Sequence, residues 1–441
     1  MDAAKMVPMM KKISLPDAEL PNQNSSHPDH HEDALPLADL VEGRCNEAFR
    51  ILPDIRVVDL TTSIAGPYAT MLLSDFGAEV LKVERLTGDD ARHWGPPFLE
   101  GESLWFLAVN RNKKSLALDY ASSSGQKVLA QLIDKADVVV TNQLASVQKK
   151  LGLDAATLRA SHPRLIHVSL TGFGLSGPRA GLPCYDLIAE GYSGVMDLTG
   201  PAEAEPQKVG APAADMLAGA DAAMAVLAAL HRRAASGQGA SIDVSLTESM
   251  IRFMSPRILP YLGSGQVPRR TGGRDSVIAI YQTFETADLP MTLGLGNDAI
   301  WRRFWEAVGH PEEAAAANFA SNAHRRLHRE TIVSRIQALL LTQPRSEWLS
   351  RFATAKVPAG PIYRVDEVVA DDHFHARSTF YRIEKDGREV PQVSLGIHMD
   401  GAPAGFFSLP PRLGENCEEV LRQLLGYDEQ AIAGLRAQGV I

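Results

Sequence analysis

Cysteine is scarce in this chain: Cys45, Cys184 and Cys417 are the three among 441 residues. They are too few and too scattered for a disulfide framework or a CxxC metal knot, which excludes a small stapled secreted fold. A reducing cytosol, and hence a cytoplasmic location, is expected. Long apolar runs are also lacking, since no stretch approaches the roughly 18 residues that span a bilayer, so no membrane association is expected. The first residues, MDAAKMVPMMKK, carry lysines but no continuous apolar core or cleavage-like site, and do not read as a secretory signal. Positive charge is in deficit, with a formal net charge of -9, so there is no basic field for a nucleic-acid backbone. Finally, RVVDL (56–60) is followed by TTSIAGP and not by GxGxxG, so dinucleotide binding has no specific support.

What is present is ordinary globular material, 45% hydrophobic and 22% charged, enough for a soluble chain with one large or two moderate domains. Pro, Asn, Ser, His and Asp dominate the beginning, which reads as a mobile arm over 1–50. His27, His30, His31, Glu32 and Asp33 match no metal-site spacing, so no metal is expected. From Ile55 short β-rich runs alternate with helical stretches, the pattern of βαβ units. RVVDL, AEVLKVE (78–84), KSLALD (114–119), ADVVVTN (136–142), LIHVSL (165–170) and SIDVSL (241–246) are the strands. AGPYATMLLSDFG (65–77) and SSSGQKVLAQLIDKA (122–136) are helices between them. The fold class is therefore α/β: a Rossmann-like, doubly wound large domain over 51–250 and 393–441, with the two short C-terminal helices packed back on it. Residues 251–270 read as a long linker, and 271–392 as a smaller α+β domain with its return linker, opened by IAIYQTF and LPMTLGL as hairpin strands.

The local feature richest in chemistry is APAADMLAGADAAMAVLAALHRRAASGQG (211–239). Asp215 follows a Pro- and Ala-rich turn and precedes strong helix formers that end before Gly237, so it is placed as the N-cap. Such a carboxylate commonly only caps free N–H groups, a contribution of about 1 kcal/mol. Its neighbours Ala213, Ala214, Met216 and Leu217 are apolar, however. A partly desolvated carboxylate kept ionised by a helix N-terminus is an environment for a nucleophile. Tyr185 and Asp186, thirty and twenty-nine residues earlier, start a further helix-forming stretch. In NRNKKSL (110–116), Asn110, Arg111, Lys113 and Lys114 are either a solvated turn or a clamp for the phosphates of a nucleotide-like ligand, which Arg85 could join.

Taken in order, RVVDLTTSIAGPYATMLLSDFGAEVLKVER, NRNKKSLALD, HPRLIHVSLTGFGLSGPR, YDLIAEGYSGVM, the AAD helix, SGQGASIDVSLTESM and VPAGPI closely resemble the class III CoA-transferase family. That family includes formyl-CoA and carnitine CoA-transferases and the α-methylacyl-CoA racemases, and the resemblance runs from about residue 52 to 427. It implies that Asp215 attacks an acyl-CoA thioester to form an aspartyl–acyl anhydride and then an aspartyl-CoA thioester. It also implies that Ser63, Ile64, Arg85 and the Asn110, Arg111, Lys113, Lys114 segment line CoA, and that Trp94, Tyr185 and Asp186 lie near the acyl end. CoA would be a substrate and no cofactor would be held permanently. The partners implied are an acyl-CoA donor, a small carboxylic acid acceptor and a second copy of the chain in an interlocked homodimer. Tyr185 stands where racemases carry a histidine, and tyrosine, with an ordinary pKa near 10, is a poor α-proton shuttle, which favours transfer over racemisation. Three departures stand out: TNQLASVQ (141–148) replaces ENFRPG, TGG (271–273) is a short counterpart of a longer Gly-rich loop, and Asn416-Cys417 replaces His-Thr.

Overall fold

Valine- and isoleucine-rich runs form six strands: β1 (Arg56–Asp59), β2 (Glu79–Glu84), β3 (Lys113–Ala117), β4 (Val138–Thr141), β5 (Ile166–Thr171) and β6 (Ala240–Ser245). β-Branched side chains suit a pleated backbone, and runs apolar at nearly every position suit strands covered on both faces. In the computed structural model, which describes residues 36–43, 46–405 and 408–441, these strands make one sheet in the order β3-β2-β1-β4-β5-β6. Every pairing is parallel. The chain builds outward from β1 in one direction and from β4 in the other. The loops leaving the carboxyl ends of β1 and β4 therefore diverge and open a crevice, where parallel sheets of this kind take their ligands.

Six helices matter for the site: α1 (Ala65–Asp75), α2 (Ser123–Asp134), α3 (Asp186–Ser193), α4 (Ala213–Ser236), α5 (Leu246–Phe253) and α6 (Ser255–Ser264). Alternate strand residues point to opposite faces. Val57, Val80, Val138 and Ile166 pack with Ala69 and Leu73 of α1 and Ala218, Ala222 and Val226 of α4. Val58, Leu81 and Val139 pack on the other face with Val128 and Leu132 of α2. The same cluster holds Val420, Leu421, Ile432 and Leu435 from the two C-terminal helices, Cys417–Gln423 and Glu429–Ala437.

Helix α4 corrects one expectation: within its 24 residues runs an 18-residue stretch of mean hydropathy 1.6, long and apolar enough to cross a membrane. One face of it, with Ala218, Ala222 and Val226, packs on the parallel sheet. A Cβ at Gly219 would lie 2.6 Å from the Ala65 carbonyl oxygen and 2.9 Å from Cδ1 of Tyr68. Only glycine allows α1 and α4 to approach so closely, which brings the start of α4 beside the loop that follows β1.

A second core lies under β7 (Tyr281–Phe284), β8 (Met291–Gly294) and β9 (Ala359–Pro361), built from Trp301, Phe304, Trp305, Ile336, Trp348 and Phe352. Residues 40–441 nonetheless group as one compact unit, and three boundaries read from sequence shift. The stretch 251–270 is largely helical, because α5 and α6 run through it until Gly265, at φ 71, ends α6. The hairpin Phe380–Lys385 with Arg388–Val393 packs Tyr381, Ile383 and Val390 on Phe106 and Leu107, and so joins the parallel-sheet side. The arm assigned to 1–50 is structured at its end: Val41–Glu42 pairs with Tyr381–Arg382, and the buried Phe49 stacks on Phe76 at 6.0 Å. The histidine tract and Cys45 lie outside the described residues, and Pro36–Asp39 is a short 3-10 turn.

Candidate active site

Buried charges set the loop at the end of β1. Asp59 accepts hydrogen bonds from the Thr61 N–H (2.9 Å) and the Thr70 hydroxyl (2.6 Å). Lys82 of β2, wholly buried, donates to the Thr61 carbonyl (2.9 Å) and to Asp89 (2.8 Å). The other Asp89 oxygen accepts the Ser63 N–H at 2.9 Å. Ser63 is thereby held at φ 70, a backbone conformation that only surrounding contacts sustain in a non-glycine residue. Across the crevice Asn142, just past β4, accepts the Thr62 N–H (3.1 Å) and donates to the Thr62 carbonyl (2.8 Å). The TNQLASVQ segment thus ties the two halves of the sheet together at their divergence.

Helix α4 begins at Ala213, with Pro212 before it, and no side chain of its own caps it. Asp215 is its third residue, which corrects the N-cap assignment. The cap comes from the neighbouring helix: one carboxylate oxygen of Asp186, first residue of α3, accepts the N–H groups of Ala214 (2.8 Å) and Asp215 (3.1 Å). Its negative charge opposes the positive end of the α4 dipole, so Asp215 gains little from that end. Burial, and then the charge of Asp186, push the Asp215 carboxyl up to about 7. Burial, and then the charge of Asp215, push the nearby Cys184 thiol up to about 11.

Among the described residues no hydrogen bond or ion pair engages the Asp215 carboxylate. A half-buried carboxylate poised near neutrality and bonded to nothing is equipped to attack carbon.

Residues 52–417 match the family described as CoA-transferase family III. This chain is a class III CoA-transferase. It is 36% identical over 381 residues to the succinate–glutarate CoA-transferase of Agrobacterium fabrum, covering 85% of this chain and 95% of that one. It is 35% identical to the succinyl-CoA:mesaconate CoA-transferase of Haloarcula marismortui, covering 84% and 95%. The crystal structure of a CAIB/BAIF family protein from Brucella suis superposes with a TM-score of 0.74 at 36% identity, covering 84% of this chain and 98% of that one.

Within the transferase, Ser63 and Ile64 stand at the crevice, and Arg85, directly after β2, is exposed and paired with Asp90 at 2.7 Å. Trp94 packs edge-on against Trp105, with ring centres 6.2 Å apart. Tyr185 is 66% exposed at the start of α3.

The NRNKK segment departs from the anion clamp. It leads into the amino end of β3, and its charges are used internally, with the Lys113 ammonium reaching up to Asp59 and the Pro67 carbonyl at the loop after β1. Arg111 forks onto Asp75 (2.8 and 2.6 Å), Lys113 reaches Asp59 (3.2 Å), and Asn110 accepts from Lys113 (2.8 Å). All three are buried, and the half-buried Lys114 pairs with Glu79 (3.0 Å) and Glu419 (2.9 Å). Each of these cations already has a carboxylate partner within the chain.

Sequence reasoning missed the capping role of Asp186, the bridging Asn142, and Glu190, which stood inside a quoted motif without being singled out. An acidic residue opening one predicted helix while another helix lacked a side-chain cap was the available signal for the first of these.

Proposed function

We propose that this transferase moves CoA from an acyl-CoA donor to a carboxylic acid through Asp215. What carries the proposal is the unpaired Asp215 carboxylate beside a second carboxylate that takes the helix N–H groups in its place. Asp215 attacks the thioester carbonyl, the carbon–sulfur bond breaks, and an aspartyl–acyl anhydride and CoA thiolate result. The thiolate attacks the aspartyl carbonyl, releasing the donor acid and leaving an aspartyl-CoA thioester. The acceptor carboxylate then attacks that thioester, and the thiolate returns to the acceptor acyl group. No water enters, so the thioester's energy is kept.

The names of the relatives point to succinyl-CoA as donor and a dicarboxylic acid as acceptor. CoA would lie in the crevice over Ser63 and Ile64, with Arg85 as an accessible cation. Among the described residues the groups acting on the charge of Asp215 include no imidazole, which disfavours α-proton exchange. Leu259 and Leu262 of α6 are 65% and 71% exposed, a face that supports the interlocked homodimer.

Incubation with succinyl-CoA followed by hydroxylamine or borohydride should modify Asp215, and addition of glutarate or mesaconate should yield the corresponding CoA ester. Absence of an adduct across succinyl-, acetyl- and formyl-CoA would reject Asp215 as nucleophile.

The pH dependence gives a separate prediction. Asp186→Asn keeps an oxygen for the α4 N–H groups and removes a negative charge, and a neighbouring negative charge raises a carboxyl's pKa. The acid limb of kcat/KM, expected near pH 7 because burial and Asp186 push Asp215 up to about 7, should move to lower pH in the variant. A limb that stays in place would show that Asp186 does not act on the nucleophile.

A further inference from the structure

Behind Asp186 lies a third carboxyl group. Glu190 stands one turn further along α3 and is wholly buried. One of its oxygens accepts the Val209 N–H at 2.9 Å, whereas the other, also buried, has no donor among the described residues. Asp186 lies one helical turn earlier on α3, on the same face, and its carboxylate acts on Glu190. Two acceptors cannot satisfy each other, and a buried polar atom left unpaired is costly. A proton on Glu190 resolves both problems, because the acid then donates to Asp186 while its other oxygen keeps the Val209 N–H.

We propose that Glu190 is a positioning residue of the transferase, held as the neutral acid so that it donates to Asp186 and fixes that carboxylate against the start of α4. The row Glu190–Asp186–Asp215 then carries its charge where two backbone N–H groups bind it, and Asp215 faces a fixed neighbour.

The surroundings favour the neutral acid. Burial raises the pKa of Glu190, and the charge of Asp186 adds to the rise; the Val209 N–H and Lys208 act the other way. Lys208 is exposed and donates to the Val209 carbonyl at 3.2 Å. Helix α5, packed on α3, adds no free cation, since Glu248 is exposed and Arg252 pairs with Asp221 at 2.5 Å. In the short helix after α3 (Val195–Leu198), Asp197 pairs with Arg270 at 3.5 Å. On the side of Asp215 lie the Cys184 thiol and the exposed Tyr185.

The inference rests on Asp215 as the nucleophile for its consequence, but not for its proton, so the two can be tested apart. In the Asp215→Asn background at pH 8, infrared difference spectra between Glu190 and Glu190→Gln proteins should show the carbonyl band of a protonated carboxyl lost with the substitution. Its absence would overturn the proposal whatever the role of Asp215. In the otherwise wild-type enzyme, Glu190→Gln presents an amide donor to Asp186 and an oxygen to Val209, and should retain kcat and the pH profile. Glu190→Leu removes the donor, and should lower kcat by roughly tenfold to a hundredfold as Asp186 loses its orientation. It should also raise the acid limb of kcat/KM, because the charge of Asp186 is no longer shared with a donor. If Glu190→Gln instead moves the acid limb down, as removal of a charge would, Glu190 is ionised and the proposal fails. Equal profiles for the Gln and Leu variants would overturn it as well.

Discussion

Asp215→Asn is expected to lose CoA transfer by roughly a thousandfold or more, as removal of a covalent nucleophile does, and yet to melt at a higher temperature than the unaltered protein at pH 8. No cap is lost, because Asp186 accepts the Ala214 and Asp215 N–H groups. The sign of the stability change follows from the shifted carboxyl. Asp215 is held at about 7 in the folded chain, against about 3.9 in an unfolded one. Between those values the folded state binds a proton that the unfolded state does not, so stability falls as pH rises from about 4 to about 7 and stays reduced above. The full shift corresponds to about 4 kcal/mol; with the partial exposure of the site and a protein-like dielectric, about 1–2 kcal/mol is the expected gain from the neutral amide. Melting curves at pH 4.5 and pH 8 check it: the variant's advantage should be small at the lower pH and large at the higher. A variant less stable than the unaltered protein at pH 8 would show that the carboxylate holds the helix after all. Loss of activity without loss of acylation would remove Asp215 from the chemistry.

The second large effect concerns Arg111. Arg111→Met should destabilise the fold by about 3–5 kcal/mol, the usual cost of stripping one partner from a buried ion pair, and leave the KM for acyl-CoA of the folded fraction unchanged. Asp75 would lose both limbs of its fork, and the Gln392 side chain and the Val393 carbonyl would lose donors at 2.9 and 3.0 Å. The link between the end of α1 and the late hairpin would go with them. A residue contacting CoA phosphates would behave in the opposite way, with a raised KM and little change in melting temperature. Thermal melts with initial rates against acyl-CoA concentration separate the two outcomes.

The strands of the parallel sheet were legible because each is a short apolar run between polar turns, and all six fall within two residues of the runs quoted from sequence. The long helix α4 was legible from its alanines and from Gly237, which ends it at φ 70. Pairings across the chain were not legible. Arg111 meets Asp75 at a separation of 36 residues, Lys113 meets Asp59 at 54 and Lys114 meets Glu79 at 35. In sequence such cations look free, and only the packing of β3 beside β2, with α1 above, matches them to carboxylates. The same holds at the site. Asp215 was singled out from sequence as an N-cap, but its environment was misread, because the cap of α4 comes from Asp186, 29 residues earlier. Local propensity indicates where a helix begins but not which other element supplies its partner.

Cys184 has a chemical consequence. An acyl anhydride on Asp215 is open to any nearby sulfur nucleophile, and capture by a protein thiol would leave a stable, unproductive S-acyl enzyme. With its thiol pushed up to about 11, Cys184 is ionised at pH 7 in about one molecule in ten thousand, and the thiol form is a poor nucleophile. In the proposed mechanism the departing CoA thiolate would therefore be the dominant sulfur nucleophile at the anhydride. Holding a resident cysteine silent keeps the acyl group on the route between two carboxylates.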